Sequence, residues 1–189
     1  MDVNDIKGLN AEVKRRMDAA IDHVRRELGG VRTGRASTNL LDPVQVEAYG
    51  TTMPLNQVAS LSIPEPTVIV AQPFDPSLSA AIERAIQKSN LGLNPASDGK
   101  VIRIPIPTLT EERRRELSRI VHKYAEEGRN AVRQVRRDAN DRLKKLLKDH
   151  KISEDDERRA LDDVQRITDQ HVTMIDDLQK KKDTDLLGK

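Results

Sequence analysis

All nine prolines of this 189-residue chain fall between Pro43 and Pro107, and the long stretches on either side contain none. Proline removes a backbone donor and clashes with the preceding helical turn, so the flanks are free to form long uninterrupted helices and the middle is not. Charge follows the same division. From Ala36 to Pro107 only 10 of 72 residues are Asp, Glu, Lys or Arg, against 34% for the whole chain. A segment of another class inserted into a helical domain is the simplest organisation that explains both patterns.

The flanks carry helical periodicity. Ile6, Leu9, Val13, Met17, Ile21, Val24 and Leu28 recur at steps of three and four and define one stripe, which stops at Gly29 and Gly30. A second stripe starts after a cap at Thr110, with Glu111 and Glu112 in its first turn. It runs through Leu117, Val121, Tyr124, Gly128, Val132, Val135, Ala139, Leu143 and Leu146. About 40 residues at about 1.5 Å each make a rod of roughly 60 Å, which needs partner helices alongside. A third begins at Ser153, whose side chain suits an N-cap and is followed by Glu154, Asp155 and Asp156. Its seam is Leu161, Val164, Ile167, His171, Met174, Ile175 and Leu178. Each apolar stripe is buried only by the other two, so the expectation is an elongated antiparallel three-helix bundle.

The middle reads differently. Val44, Val46 and Ala48 alternate with polar neighbours, and Thr67 to Ala71 is a short β-branched run, so both are expected strands. Asp75 caps and Pro76 opens a helix through Ala80, Ala81, Ile82, Ala85 and Ile86. Asp98-Gly99 is a hairpin-type turn before Val101, Ile102 and Ile104. The fold class is therefore α+β with two domains. The bundle takes 1–31 and 107–189, and a small β/α/β domain takes 32–106. Two strands of chain join them, near 31–36 and 105–107; Arg32, Thr33, Gly34 and Arg35 form the pliable one, Pro105 and Pro107 the stiff one. A two-stranded hinge is the expectation.

Several function classes are excluded or disfavoured. The absence of cysteine removes disulfides, thiolate chemistry and Cys-based zinc sites. His23, His122, His150 and His171 lack metal-ligand spacing, and His171 sits on an apolar seam where a satisfied core role fits better. The acidic run Glu154 to Glu157 is explained by the positive end of a helix without a metal. Gly29 to Ala36 superficially matches a phosphate-binding loop, but Arg35 and Ala36 stand where Lys and Ser or Thr are needed, and a helix precedes it instead of a strand. No constellation marks a catalytic site, so no enzyme activity, cofactor or metal is expected. No apolar run of membrane-spanning length or secretory leader is visible, which points to a cytoplasmic protein without membrane contact.

The formal net charge is only +2, yet it is unevenly placed. From Arg113 to Lys148 there are 13 Lys and Arg against 5 Asp and Glu; from Ile152 to Asp185, 6 against 11. On the second long helix Arg129, Arg133 and Arg136 stand at i, i+4 and i+7, one face clear of the seam, with Arg137 beside them. Glu126, Asp138 and Asp141 are too few to neutralise these together with Arg142, Lys144, Lys145 and Lys148. A jointly exposed arginine stripe suits phosphates, because guanidinium offers bidentate donors and binding releases counterions. With only Tyr49, Phe74 and Tyr124 as aromatics, base stacking is not expected and backbone recognition is.

Val31-Arg32-Thr33-Gly34-Arg35-Ala36-Ser37, Leu91-Gly92-Leu93-Asn94-Pro95, Leu109-Thr110-Glu111-Glu112-Arg113-Arg114 and Val135-Arg136-Arg137-Asp138-Ala139-Asn140-Asp141 resemble the ribosome recycling factor family in order and register. Ile152-Ser153-Glu154-Asp155-Asp156 extends the resemblance to essentially the whole chain. It implies an L-shaped molecule of transfer-RNA size, with a three-helix domain and a small domain that swivels on two linkers. It also implies a monomer that binds the post-termination ribosome through large-subunit ribosomal RNA. With elongation factor G and GTP hydrolysis by that partner, it would split the subunits and release mRNA and tRNA. Arg129, Arg133 and Arg136 match the family's RNA-contacting positions, Arg32 and Arg35 its linker arginines, and Gly34 the flexible residue between them. Pro43 departs from the family pattern, where glycine is familiar. A rival reading is a helical scaffold for another protein, with charges serving solubility; it would tolerate charge reversal at Arg133.

Overall fold

A computed structural model describes residues 1–187. The chain forms two compact units: Met1–Arg32 together with the chain from Glu111 onward, and Thr33–Thr110. The first is a bundle of α1 (Ile6–Gly29), α4 (Glu111–Lys148) and α5 (Glu154–Leu187). The second holds the remaining elements, α2 (Leu55–Val58) and α3 (Ser79–Lys88) among them.

Local signals set the ends of the bundle helices. The Asp5 carboxylate accepts from the Gly8 amide and starts α1. At the far end of α4, His150 adopts a left-handed φ of 55°. The Lys151 amide returns to the Leu146 carbonyl at 2.9 Å and the His150 amide to Leu147 at 3.0 Å, which satisfies the terminal carbonyls. Helix α5 then begins on a reciprocal cap. Ser153 Oγ accepts from the Asp156 amide at 3.1 Å, and the Asp156 carboxylate accepts from the Ser153 amide at 3.3 Å.

The stripe on α1 is buried from Leu9 to Leu28 as its spacing requires, with Ile6 half-buried. On α4 the buried row is Leu117, Val121, Ala125, Gly128, Val132, Val135, Ala139, Leu143 and Leu146. Ala125 therefore replaces Tyr124, which is half-buried beside it. Small side chains occupy the line where both neighbours approach α4. A Cβ on Gly128 would collide with Val24 of α1 and stand 3.3 Å from Ile175 Cδ1 of α5. On α5, Val164, His171 and Ile175 are buried as expected, whereas Met174 is 43% exposed and Leu161, Ile167 and Leu178 are half-buried. Ala160, Thr168 and Leu186 complete that row. His171 is satisfied on both ring nitrogens. Nδ1 donates to the Ile167 carbonyl at 2.7 Å and Nε2 lies 2.7 Å from the Asp18 carboxylate, tying α5 to α1.

In the small unit, β1 (Gln45–Ala48) and β2 (Thr51–Pro54) form a hairpin. Its turn residues Tyr49 and Gly50 both have positive φ, 54° and 76°. Tyr49 is a poor residue for that conformation, and its hydroxyl is fastened to Asp75 at 2.8 Å. One helical turn, α2 (Leu55–Val58), leads into β3 (Ala59–Glu65); β4 (Val68–Pro73), α3 (Ser79–Lys88), β5 (Ala96–Ser97) and β6 (Ile102–Pro105) follow. The second sheet is antiparallel in the order β3-β4-β6-β5. Ile69, Ala71, Ile102 and Ile104 from its central strands meet Ile82 and Ile86 of α3 in the core. Strand β3 is an edge; it carries Pro64 and loses register between Ser62 and Glu65. The Asp98-Gly99 turn is longer than a two-residue hairpin: the Asp98 carboxylate accepts from both the Lys100 and Val101 amides.

Gly128→Ala is expected to destabilise the bundle by about 1–3 kcal/mol through overpacking, read from thermal unfolding. A second expectation concerns acid. The Asp18 carboxyl is held below its ordinary value of 3.8, first by the hydrogen bond shared with His171 and then by Lys14. A carboxyl depressed in the folded state stabilises above its unfolded value and loses that contribution as pH falls through the folded one. Asp18→Asn should therefore lower the melting temperature at neutral pH, with the gap from the parent closing below about pH 4.

Candidate nucleic-acid interface

The α4 arginines share a side of the helix but not a depth: at about 100° per residue, Arg133 and Arg137 are turned about 40° and about 80° from Arg129 away from the Gly128 seam, while Arg136 falls about 20° back toward it. Arg129 follows Gly128, which both α1 and α5 approach, and its side chain is only 12% exposed. Its Nη1 donates to Glu126 at 3.0 Å, its Nε to Asp176 at 2.8 Å and its Nη2 to Gln179. The expectation of one jointly exposed stripe is corrected at this position. Arg133 is 39% exposed and reaches Glu126 at 3.3 Å and Asn130 at 3.4 Å. Arg136 is half-buried and donates to Gln165 of α5 at 3.3 Å. Arg137 is exposed, and its side chain has no partner among the described residues.

The rest of the basic excess divides similarly. Arg142 is 13% exposed. It donates to the Val3 carbonyl at 2.6 Å and to Asn4 at 2.9 Å, so it pins the start of the chain and is not part of a free face. Lys144, Lys145 and Lys148 are exposed and their side chains engage no partner among the described residues. Arg129, and secondarily Arg133, hold the Glu126 carboxyl below its usual 4.5, so it stays ionised between them. On the second half of α4, from Arg129 onward, what remains for the outside is Arg133, half-buried Arg136 and exposed Arg137 followed by a lysine run, flanked by an α5 that is rich in aspartate.

The linker residues are placed as follows. Arg32 is exposed at the edge of the bundle unit and Thr33 opens the small one. Gly34 has φ +74°, and a Cβ there would stand 3.2 Å from Leu109 Cγ, which explains the residue. Arg35 is exposed. Pro105 belongs to β6, and Ile106 is buried with its amide donating to the Thr67 carbonyl at 2.7 Å. The second linker is therefore displaced from the expected 105–107: the sheet holds the chain through Ile106, and exposed Pro107 begins the segment that leads to Thr110. Gly29 ends α1 and Gly30 caps it, so the glycine-rich stretch there is a helix stop. Among the described residues no group of three or more His, Cys, Asp or Glu could hold a metal ion. No described helix is long and apolar enough to cross a membrane.

A family model described as ribosome recycling factor matches residues 24–187. The chain belongs to the ribosome recycling factor family. A ribosome-recycling factor of Bradyrhizobium diazoefficiens is 55% identical over 93% of this chain and 94% of that protein. One of Rhodospirillum centenum is 54% identical over 92% and 94%. Among solved structures, a ribosome recycling factor in solution covers all of both chains at 39% identity with a TM-score of 0.73. A T. thermophilus ribosome recycling factor, described with E. coli elongation factor G on the E. coli post-termination complex, covers 97% of this chain and 99% of its own at 46% identity, with a TM-score of 0.63.

Within this member of the family, the residues that sequence reasoning missed lie on α5. Asp176 and Gln179 are 47 and 50 positions from Arg129 and no local pattern pairs them. A signal was nonetheless present: Asp155, Asp162, Asp169, Asp176 and Asp183 recur every seven residues. That spacing keeps a column along one side of a helix packed against another. Asp176 meets Arg129, Asp183 accepts from Ser118, and Asp169 accepts from Gln165, which accepts from Arg136.

The two kinds of basic residue should separate in stability measurements. Arg142→Ala strands the Val3 carbonyl and should destabilise by about 1–2 kcal/mol, whereas Arg137→Ala should change stability by under about 0.5 kcal/mol. Chemical denaturation of the two variants beside the parent checks this.

Proposed function

We propose that this recycling-factor chain binds the post-termination ribosome through the backbone of large-subunit ribosomal RNA. Elongation factor G, hydrolysing GTP, then drives the small domain so that the subunits part and mRNA and tRNA leave. Family membership supports the ribosome as target, and the relative described on a post-termination complex with elongation factor G supports that partner. The observation that carries the RNA part is the outward row on α4. Arg133, Arg136 and Arg137 stand two turns of helix before Lys144, Lys145 and Lys148, in a chain whose aromatics are too few for base stacking. Guanidinium and ammonium groups so arranged match a line of phosphates, contacts that position a partner without carrying sequence information.

The two linkers are proposed as the hinge. Arg32 to Arg35, with left-handed Gly34, forms one strand, and Pro107 to Thr110 forms the other. The chain itself supplies no chemistry in this scheme; it is a lever, and the partner's GTPase supplies the work. It acts as a monomer in the cytoplasm.

Ribosome binding measured against salt should show log affinity falling with log salt at several units of slope, at roughly 0.7 to 0.9 per phosphate contact. A flat dependence contradicts RNA docking. In sedimentation, subunits should separate only when this chain, elongation factor G and GTP are present together; splitting by the chain alone contradicts the lever.

A further inference from the structure

We infer that Arg129 is a positioning residue for ribosome binding, one that clamps α4 against α5 so that Arg133, Arg136 and Arg137 project together, and that it does not itself contact phosphate. The inference rests on the RNA-docking reading above and assigns a different role to the arginine of the row whose three guanidinium nitrogens are all engaged.

Each nitrogen of its guanidinium already has a partner. Nε and both terminal nitrogens of the guanidinium meet Asp176, Glu126 and Gln179, and the side chain is 12% exposed. A phosphate would have to displace two carboxylates and an amide to reach it. The partners also lie on both helices. Asp176 and Gln179 belong to α5, and Gln179 in turn donates to His122 Nδ1 on α4 at 3.1 Å. Helix α5 is thus gripped at two α4 positions two turns apart, His122 and Arg129. The grip fixes the rotation of α4 about its own axis, and that rotation decides where the next arginines point. Glu126 adds a brace, with one oxygen on Arg129 at 3.0 Å and the other on Arg133 at 3.3 Å. The planar fork of arginine can hold all three acceptors at once, and a lysine ammonium at the same site cannot.

The test is affinity for purified large ribosomal subunits across a salt series, well below each variant's melting temperature, with helicity checked by circular dichroism. Arg133→Gln should lower the log-log slope by roughly 0.7 to 0.9, and Arg133→Lys should restore it. Arg129→Gln and Arg129→Lys should weaken binding alike, several-fold, with the parent slope. Asp176→Asn, which keeps the shape of the side chain and the Arg129 charge, should also weaken binding although it removes a negative charge. Asp162→Asn, in the same aspartate column but away from Arg129, should not weaken it.

Recovery of binding by Arg129→Lys, with a lowered slope in Arg129→Gln, would make Arg129 a phosphate contact and overturn the clamp. Tighter binding by Asp176→Asn would do the same. Parent-like affinity in folded Arg129 variants would reduce the residue to a stabilising one and also overturn it. If Arg133→Gln and Arg136→Gln both leave the slope unchanged, RNA docking itself fails and the clamp falls with it.

Discussion

Everything presented by the bundle depends on how closely three helices approach at Gly128. With no side chain there, Val24 of α1 and Ile175 of α5 reach the α4 backbone from two sides. Three apolar rows then close over one another without aromatics, each buried aliphatic side chain contributing about 1.5–3 kcal/mol. That approach also decides which polar residues of α4 lie in the groove and which face outward. Arg129, one step from the contact, is drawn in; Arg137, two further turns along, is turned out. The outward basic face is a by-product of packing as much as of charge.

Electrostatics then refine what packing sets up. The column of aspartates on α5 runs beside the arginine side of α4 and takes up part of its charge, directly at Asp176 and by way of Gln165 near Asp169. Ion pairs that keep a carboxylate open to solvent contribute little to stability individually. Their consequence here is geometric: they determine which cations remain available to an outside anion. Arg142 is withdrawn from that set by the start of the chain, to which it donates at Val3.

Much of the architecture was legible because it rests on periodicity and on proline. The α1 row, the Ser153 cap, the β1 alternation and the inserted domain all follow from local pattern, and each local preference agrees with the tertiary arrangement. The errors arose where a neighbouring element decides the outcome. Ala125 displaces Tyr124 because α4 is covered from two sides, which favours small residues on the line of contact. Met174 stays outside because Ile175, one position on, lies in the groove. Pro105 looked like a linker residue, but strand pairing with Val68 and the Ile106 bond to Thr67 extend the sheet beyond it. The arginine row was visible in the sequence and its gradient of depth was not, since Asp176 and Gln179 are remote along the chain.

The irregularity in β3 bears on whether two copies of this sheet can join border to border. A sheet with an open border invites a second copy to add its own strand, and repeated addition leads to fibrils. Here the border lacks one amide at Pro64 and is bent where Ser62 and Glu65 fall out of step with β4. The opposite border is only two residues long, at Ala96–Ser97. Neither side of this four-stranded sheet offers a long continuous ladder for self-templating, while its core remains a conventional antiparallel sheet.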